Sequence, residues 1–225
     1  MDRLENRSAE RALMLRAIEH DFALTAGATG IARPSRAVLD AMAAVPRHRF
    51  VPSEFDDAAY DNRPLPIGHG QTISQPFIVA LMTELAALGP DDQVLEVGTG
   101  CGYQTAVLAR LARRVHSVEI VEPLSAAAGE RLASLGADNV TLHVGDGHAG
   151  WPGGAPYAAI LVTAAPSDVP PALLDQLRVG GRLVLPLGAQ YGVQDLCVVE
   201  KRADGTIALE RKLAVQFVPM TGGAG

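Results

Sequence analysis

The residues best suited to chemistry are three acids, Glu96, Glu119 and Asp146, and the glycines beside them, Gly98, Gly100, Gly102 and Gly147. Val94-Leu95-Glu96-Val97 reads as a parallel strand buried on both faces. It runs directly into Gly98-Thr99-Gly100-Cys101-Gly102, and a helical pattern resumes over Tyr103–Leu111. Strand, glycine turn and helix open a βαβ nucleotide-binding unit. Glycine lets the chain turn tightly and lets a ligand approach the backbone, because no Cβ intervenes. Tyr103 stands where a dinucleotide fold would want a third glycine, so the pyrophosphate fingerprint is incomplete. Glu96 at the strand tip also suits an anionic pyrophosphate badly. It suits a cation carrying an ammonium and a sulfonium, which points to S-adenosylmethionine. For the glycines alone, a plain tight strand–helix turn is the competing reading.

In open α/β sheets ligands bind outside the carboxyl ends of the strands. Glu119 ends the next strand, roughly 20 residues past the glycine loop, where an acid meets ribose hydroxyls. Asp146-Gly147 ends the third, where a carboxylate could accept from an adenine amino group and a glycine leaves room for the ring. Thr163-Ala164-Ala165-Pro166 ends the fourth and is small and neutral. Each acid alone reads as a solvated strand-end residue. Acids at successive tips in this order favour a bound nucleoside.

The elements that must position these tips follow from the pattern. Strands are expected at Arg114–Ile120, Val140–Val144, Tyr157–Val162 and Arg182–Pro186, with helices at Glu122–Leu135 and Val169–Leu177 between them. Asp195–Lys201 and Ile207–Phe217 form a hairpin about Asp204-Gly205. The expected fold is α/β: a doubly wound, mostly parallel sheet with an antiparallel C-terminal end. Ahead of it, Ala9–Phe22 reads as a helix with Ala12, Leu15 and Ile18 on its apolar face, and Gly27–Arg33 as a loop. A second helix is N-capped by Ser35 and stopped at Val45-Pro46. Leu65–Pro76 reads as an ordered loop and Phe77–Leu88 as a helix. With no linker in sight, residues 1–225 are expected to be a single domain, 1–64 an N-terminal helical cap and 65–225 the cofactor-binding core.

Composition sets limits. A net charge of −6 over 225 residues argues against a general nucleic-acid binder, which needs a positive surface. No apolar run approaches the roughly 20 residues of a membrane span. Met1–Arg16 mixes Asp, Glu and Arg, unlike a secretory signal. Cys101 and Cys197 are far apart, and the histidines form no close-spaced pair of the kind zinc uses. No membrane, nucleic-acid or metal partner is expected, and a cytoplasmic location is.

Several stretches together resemble the protein-L-isoaspartate O-methyltransferases. They are Val45-Pro46-Arg47-His48 with Phe50-Val51-Pro52, Leu65-Pro66-Ile67-Gly68 through Gln71-Thr72-Ile73-Ser74-Gln75-Pro76, Leu95–Gly100, Gly145-Asp146-Gly147, Val162–Pro166, and Phe217-Val218-Pro219-Met220-Thr221. The resemblance covers nearly the whole chain; Thr72–Pro76 and Val218–Thr221 are its most specific parts. It implies a Rossmann-like methyltransferase fold and S-adenosylmethionine contacts at Thr72, Ile73, Ser74, Gly98, Gly100, Glu119, Asp146, Gly147 and Thr221. It implies that Ser74 is the active-site hydroxyl and that the substrate is an isoaspartyl residue in a damaged protein or peptide. Without the resemblance, Ser74 reads as a loop or helix-capping serine. The substrate side of the site is expected at Thr163, Ala164 and Ala165, and the cationic end of the cofactor near Glu96.

A carboxylate nucleophile is already ionised at neutral pH, so no general base is needed and none is evident. A relative that methylates aspartate in a dedicated peptide would share these motifs. An NAD-dependent oxidoreductase is opposed by Tyr103 and by the lack of a catalytic dyad. A non-catalytic adenosine-binding protein is opposed by the intact Thr72–Pro76 loop.

Overall fold

The structure, a computed structural model, describes residues 7–189 and 192–223. Its centre is a seven-stranded sheet. The strands are β3 (Gln93–Val97), β4 (Arg114–Glu119), β5 (Val140–Val144), β6 (Tyr157–Val162), β7 (Leu177–Leu187), β8 (Gln194–Lys201) and β9 (Ile207–Val215), in the order β5-β4-β3-β6-β7-β8-β9. Pairing is parallel from β5 to β7 and antiparallel from β7 to β9. The expected doubly wound sheet with an antiparallel C-terminal end is therefore the one found. β6 has no solvent-facing side chain, which is why Tyr157-Ala158-Ala159-Ile160-Leu161-Val162 shows no polar alternation.

Helices α4 (Tyr103–Ala109) and α5 (Glu122–Ser134) follow β3 and β4, and the short α6 (Pro171–Gln176) precedes β7. α6 is shorter and β7 longer than the pattern suggests. Leu177 already pairs with Tyr157, five residues before the main register begins at Arg182.

The N-terminal elements pack on this core. α1 (Ser8–Thr29) buries Met14, Ile18 and Phe22, spaced four apart on one face. It runs seven residues beyond the expected end, through Gly27, and stops at Gly30. That residue adopts the left-handed conformation (φ 78°) and donates its N–H to the Ala26 carbonyl, a glycine-type helix ending. α2 (Arg36–Ala44) is capped by Ser35, whose hydroxyl accepts from the Val38 N–H, as expected. Phe22 meets Phe77 of α3 (Pro76–Leu85) edge to face, ring centroids 5.5 Å apart, and one continuous cluster of buried side chains runs from α1 to β8.

Leu65–Pro76 contains a hairpin where a loop was expected. β1 (Leu65–Gly68) and β2 (Gln71–Ile73) pair antiparallel. The two-residue turn His69-Gly70 has positive φ at both positions (52° and 70°), the geometry that matches the natural twist of a hairpin. At the other end of the chain, residues after β9 cross back over the strand tips. Ala165 N–H donates to the Val218 carbonyl, and Met220 N–H to the Ala165 carbonyl. Among the described residues no helix is long and apolar enough to cross a membrane.

Candidate active site

Strand order reverses between β3 and β6, the place where open α/β sheets bind ligands. Hydrogen bonds lace the tips together: Thr163 N–H donates to the Val97 carbonyl and the Thr163 hydroxyl to the Gly98 carbonyl at 2.6 Å. A cavity opens at this point, between the strand tips and the segments that cross them. Its wall contains Gly98, Gly100, Glu119 and Gly147 from the strand tips and Thr72, Ile73 and Ser74 from the second strand of the small hairpin and the turn after it. Thr163 and Ala164 line it from the fourth tip and Thr221 from the C-terminal segment. The structure thus gathers ten of the expected residues around one space.

Glu119 is fixed by the loop it faces. Its carboxylate accepts from the Gly100 N–H at 2.8 Å and from the Val121 N–H at 2.9 Å. A carboxylate held this way keeps lone pairs for ligand hydroxyls while bracing the glycine turn. Gly147 is fixed by space. A Cβ there would lie 2.3 Å from Val97 Cγ1 and 3.0 Å from Met220 Cε, so these two apolar side chains can pack this closely on the tip only because residue 147 has none. The cavity these residues line, with a carboxylate and a glycine turn in its wall, fits a nucleoside such as that of S-adenosylmethionine.

Three expected residues stand outside the cavity wall. Ala165 is buried behind it, its backbone tied to the C-terminal segment at Val218 and Met220. Asp146 turns away to accept from the His148 N–H and ring and from the Gly223 N–H at 2.6 Å. Burial would raise its pKa, but the Gly223 and His148 hydrogen bonds together hold it below the ordinary value. Glu96 is the clearest departure. The expectation of a strand-tip acid facing a cation meets a side chain that is wholly buried beneath the glycine loop. The place of β3 explains this: the strand is paired on both edges and buried along its length, so Glu96, one residue short of its end, sits inside the fold. One Glu96 oxygen accepts from Thr105 Oγ1 at 2.5 Å and Ser117 Oγ at 2.6 Å; the other, Oε1, has no partner.

Burial pushes the Glu96 pKa from its ordinary 4.5 up to about 8, against the lowering effect of the two hydroxyls. The folded protein therefore holds this proton over a pH window in which the unfolded chain has lost it. Stability falls as pH rises from about 4.5 toward 8, by at most about 1.4 kcal/mol per pH unit. Glu96→Gln removes the titration, so its stability relative to the parent should climb across that window and level off above it. Chemical denaturation at several pH values reads this directly; a difference that does not change with pH would show that Glu96 does not carry the proton.

Ser74 follows β2, half-buried, on the rim between the cavity and a broad open groove. The groove is walled by Leu24 of α1, Phe77 and Ile78 of α3, and Leu213 and Val215 of β9, the last strand of the sheet. The helix-capping reading of Ser74 does not hold. The N-cap of α3 is Gln75, which makes no side-chain cap hydrogen bond, and the Phe77 N–H donates instead to Asn62 Oδ1 at 3.0 Å.

Comparison with known proteins bears on what this site belongs to. Residues 26–225 match the model of the protein-L-isoaspartate(D-aspartate) O-methyltransferase family. The chain belongs to this family. A protein-L-isoaspartate O-methyltransferase of Polaromonas sp. is 57% identical over 185 residues, covering 82% of this chain and 88% of its own. A solved protein-L-isoaspartate O-methyltransferase superposes with a TM-score of 0.82 at 28% identity, over 94% of this chain and 66% of that one. The fold is shared further with a Plasmodium falciparum protein solved with S-adenosyl-L-homocysteine, at a TM-score of 0.74 and 24% identity over 92% of this chain and 97% of that one.

Two residues that support the methyltransferase site were given no role in the sequence reading. Asn62 caps α3 and donates to Asp21 Oδ2 at 2.8 Å, which ties the Ser74 turn to α1. Nothing in its local sequence singles it out. Arg47 donates to the Ser74 carbonyl at 2.8 Å. Its signal was available: a charged residue among Val45, Pro46, Phe50 and Val51 in a stretch that reads as packed. Among the described residues no group of three or more His, Cys, Asp or Glu is placed to hold a metal ion.

Proposed function

We propose that the chain transfers a methyl group from S-adenosylmethionine to the free carboxylate of isoaspartyl residues in damaged proteins and peptides, as family membership supports. The observation that carries this reading is the position of Ser74, on the wall shared by the cavity at the strand tips and an open groove beside β9. The cavity suits the nucleoside, and the groove suits an extended peptide. The turn carrying Ser74 is where a peptide carboxylate can reach the cofactor. Gly98, Gly100, Glu119, Gly147 and Thr221 would hold the cofactor, with Thr72 and Ile73 closing one side. Glu96 and Asp146 act behind them, Glu96 under the glycine loop and Asp146 as the latch of the C-terminal segment. Residues 1–225 work as a single domain, 1–64 its cap, in the cytoplasm.

When bound, S-adenosylmethionine supplies an electrophilic methyl on a positively charged sulfur. The chain supplies position and dryness. The substrate carboxylate is ionised at neutral pH and needs no base. The Ser74 hydroxyl donates one hydrogen bond to orient it. Thr163 and Ala164 are small enough to let the main chain approach. Val97, Met220 and the C-terminal segment exclude water, which favours attack in line with the bond that breaks.

Labelled cofactor and an isoaspartyl peptide test the reading: label should enter the peptide as an alkali-labile methyl ester. Alkali-stable label would mean transfer to another atom and would remove the carboxylate assignment. Glu119→Ala should weaken S-adenosylmethionine binding by about 1.5–3 kcal/mol, the range for hydrogen bonds to a charged group. Calorimetric titration with unchanged affinity would take Glu119 out of the cofactor site.

A further inference from the structure

Arg47 is a buried cation that the proposed chemistry has not yet used. Its side chain is fully shielded from solvent and makes no ion pair among the described residues. Its guanidinium lies over the face of Tyr103, 4.7 Å from the ring centroid. Nε donates to the Ala59 carbonyl at 2.9 Å and Nη2 to the Ser74 carbonyl at 2.8 Å, while Nη1 is buried with no partner. Tyr103, Cys101 and Ser74 all line the cavity, so the charge stands one residue behind its wall. Burial lowers the Arg47 pKa, but a guanidinium remains a cation at neutral pH.

An unpaired buried cation is costly, and replacing buried charge by apolar volume is often neutral or stabilising. Two backbone carbonyls could be tied by neutral donors. A net charge is needed only if an anion arrives, and the anion that arrives at Ser74 is the substrate carboxylate.

We propose that Arg47 is a positioning residue that fixes the Ser74 turn and, through the cavity wall, supplies the positive potential that selects a charged carboxylate over a neutral amide or ester. The same potential releases the product. The substrate carboxylate carries a negative charge and its methyl ester carries none, so the attraction ends when the methyl is transferred. Because the carboxylate loses its charge as the new bond forms, Arg47 favours the ground state and acts on binding more than on the chemical step.

The proposal rests on the isoaspartyl reading, and binding measurements separate the two. Calorimetry with S-adenosylhomocysteine present compares an isoaspartyl peptide with the same peptide carrying the neutral β-linked asparaginyl residue. The parent protein should prefer the charged peptide by roughly tenfold or more, a size expected for one partly screened charge pair. Arg47→Met should lose most of that preference, and Arg47→Lys should keep most of it while kcat falls because the fork to Ala59 and Ser74 is gone. Equal affinities in the parent, or an unchanged ratio in a folded Arg47→Met, would overturn the role of the charge. If Arg47→Met does not fold, Arg47→Gln takes its place: loss of the preference supports the role of the charge, and equal loss of both affinities leaves Arg47 a structural tie only. Failure to methylate any isoaspartyl peptide would instead defeat the underlying reading, whatever Arg47 does.

Discussion

Gly98→Ala is expected to cost about 2–5 kcal/mol of folding stability and to weaken cofactor binding with it. Gly98 has φ +95°, a conformation that residues with a Cβ rarely adopt. A Cβ built there would lie 2.4 Å from Thr163 Oγ1. That hydroxyl cannot simply rotate away, because a β-branched side chain has few rotamers and this one donates to the Gly98 and Val97 carbonyls. The strain is therefore conformational and steric at once, at the point where the tips of β3 and β6 are tied together. Adding Thr163→Ala should recover the steric part and leave the conformational part. Denaturant titration of the single and double variants checks both. A loss below about 0.5 kcal/mol, the size of an ordinary surface change, would mean the tip relaxes freely.

Ser74→Ala should slow turnover roughly ten- to a hundred-and-fifty-fold without abolishing it, the rate equivalent of about 1.5–3 kcal/mol for one neutral donor to a charged acceptor. Cofactor affinity should change much less, because the glycine loop, Glu119 and Gly147 do not depend on this hydroxyl. The backbone of the turn is held from outside by Arg47 and Asn62, so removing the hydroxyl leaves the wall in place. A covalent role for serine predicts something else: complete loss of activity and a methylated enzyme. Mass spectrometry of the enzyme with cofactor alone, set beside steady-state rates, separates the two. A methyl adduct on Ser74 that chases into product would contradict the orienting role.

The parallel sheet was legible because buried strands such as Tyr157–Val162 are uniformly apolar and the glycines punctuate their ends. The turn at His69-Gly70 was not, because its positive φ falls on a histidine and not on the Asn-Gly or Asp-Gly pair that usually marks such a hairpin. α1 ran past its expected end because Gly27 reads as a breaker, while the residue that stops the helix is Gly30. At the site, the order of the acids was readable, but the direction of each was not. Glu119 faces the cavity, whereas Glu96 lies beneath it and Asp146 behind it. Residue spacing along a strand gives the face only when the tip that faces the ligand is known. Arg47 and Asn62 reach the Ser74 turn from 27 and 15 residues away, contacts that no local pattern encodes.

The most direct measurement is methyl transfer to matched peptides that differ only in carrying isoaspartate, aspartate or asparagine at one position. The added backbone methylene of isoaspartate moves the carboxylate relative to the main chain. Position is the main resource assigned to this site, so that shift should decide the rate. The isoaspartyl peptide should be methylated, the aspartyl peptide poorly or not at all, and the asparaginyl peptide not at all. Equal rates on the isoaspartyl and aspartyl peptides would contradict the repair assignment, and a preference for aspartate would point to dedicated peptide methylation.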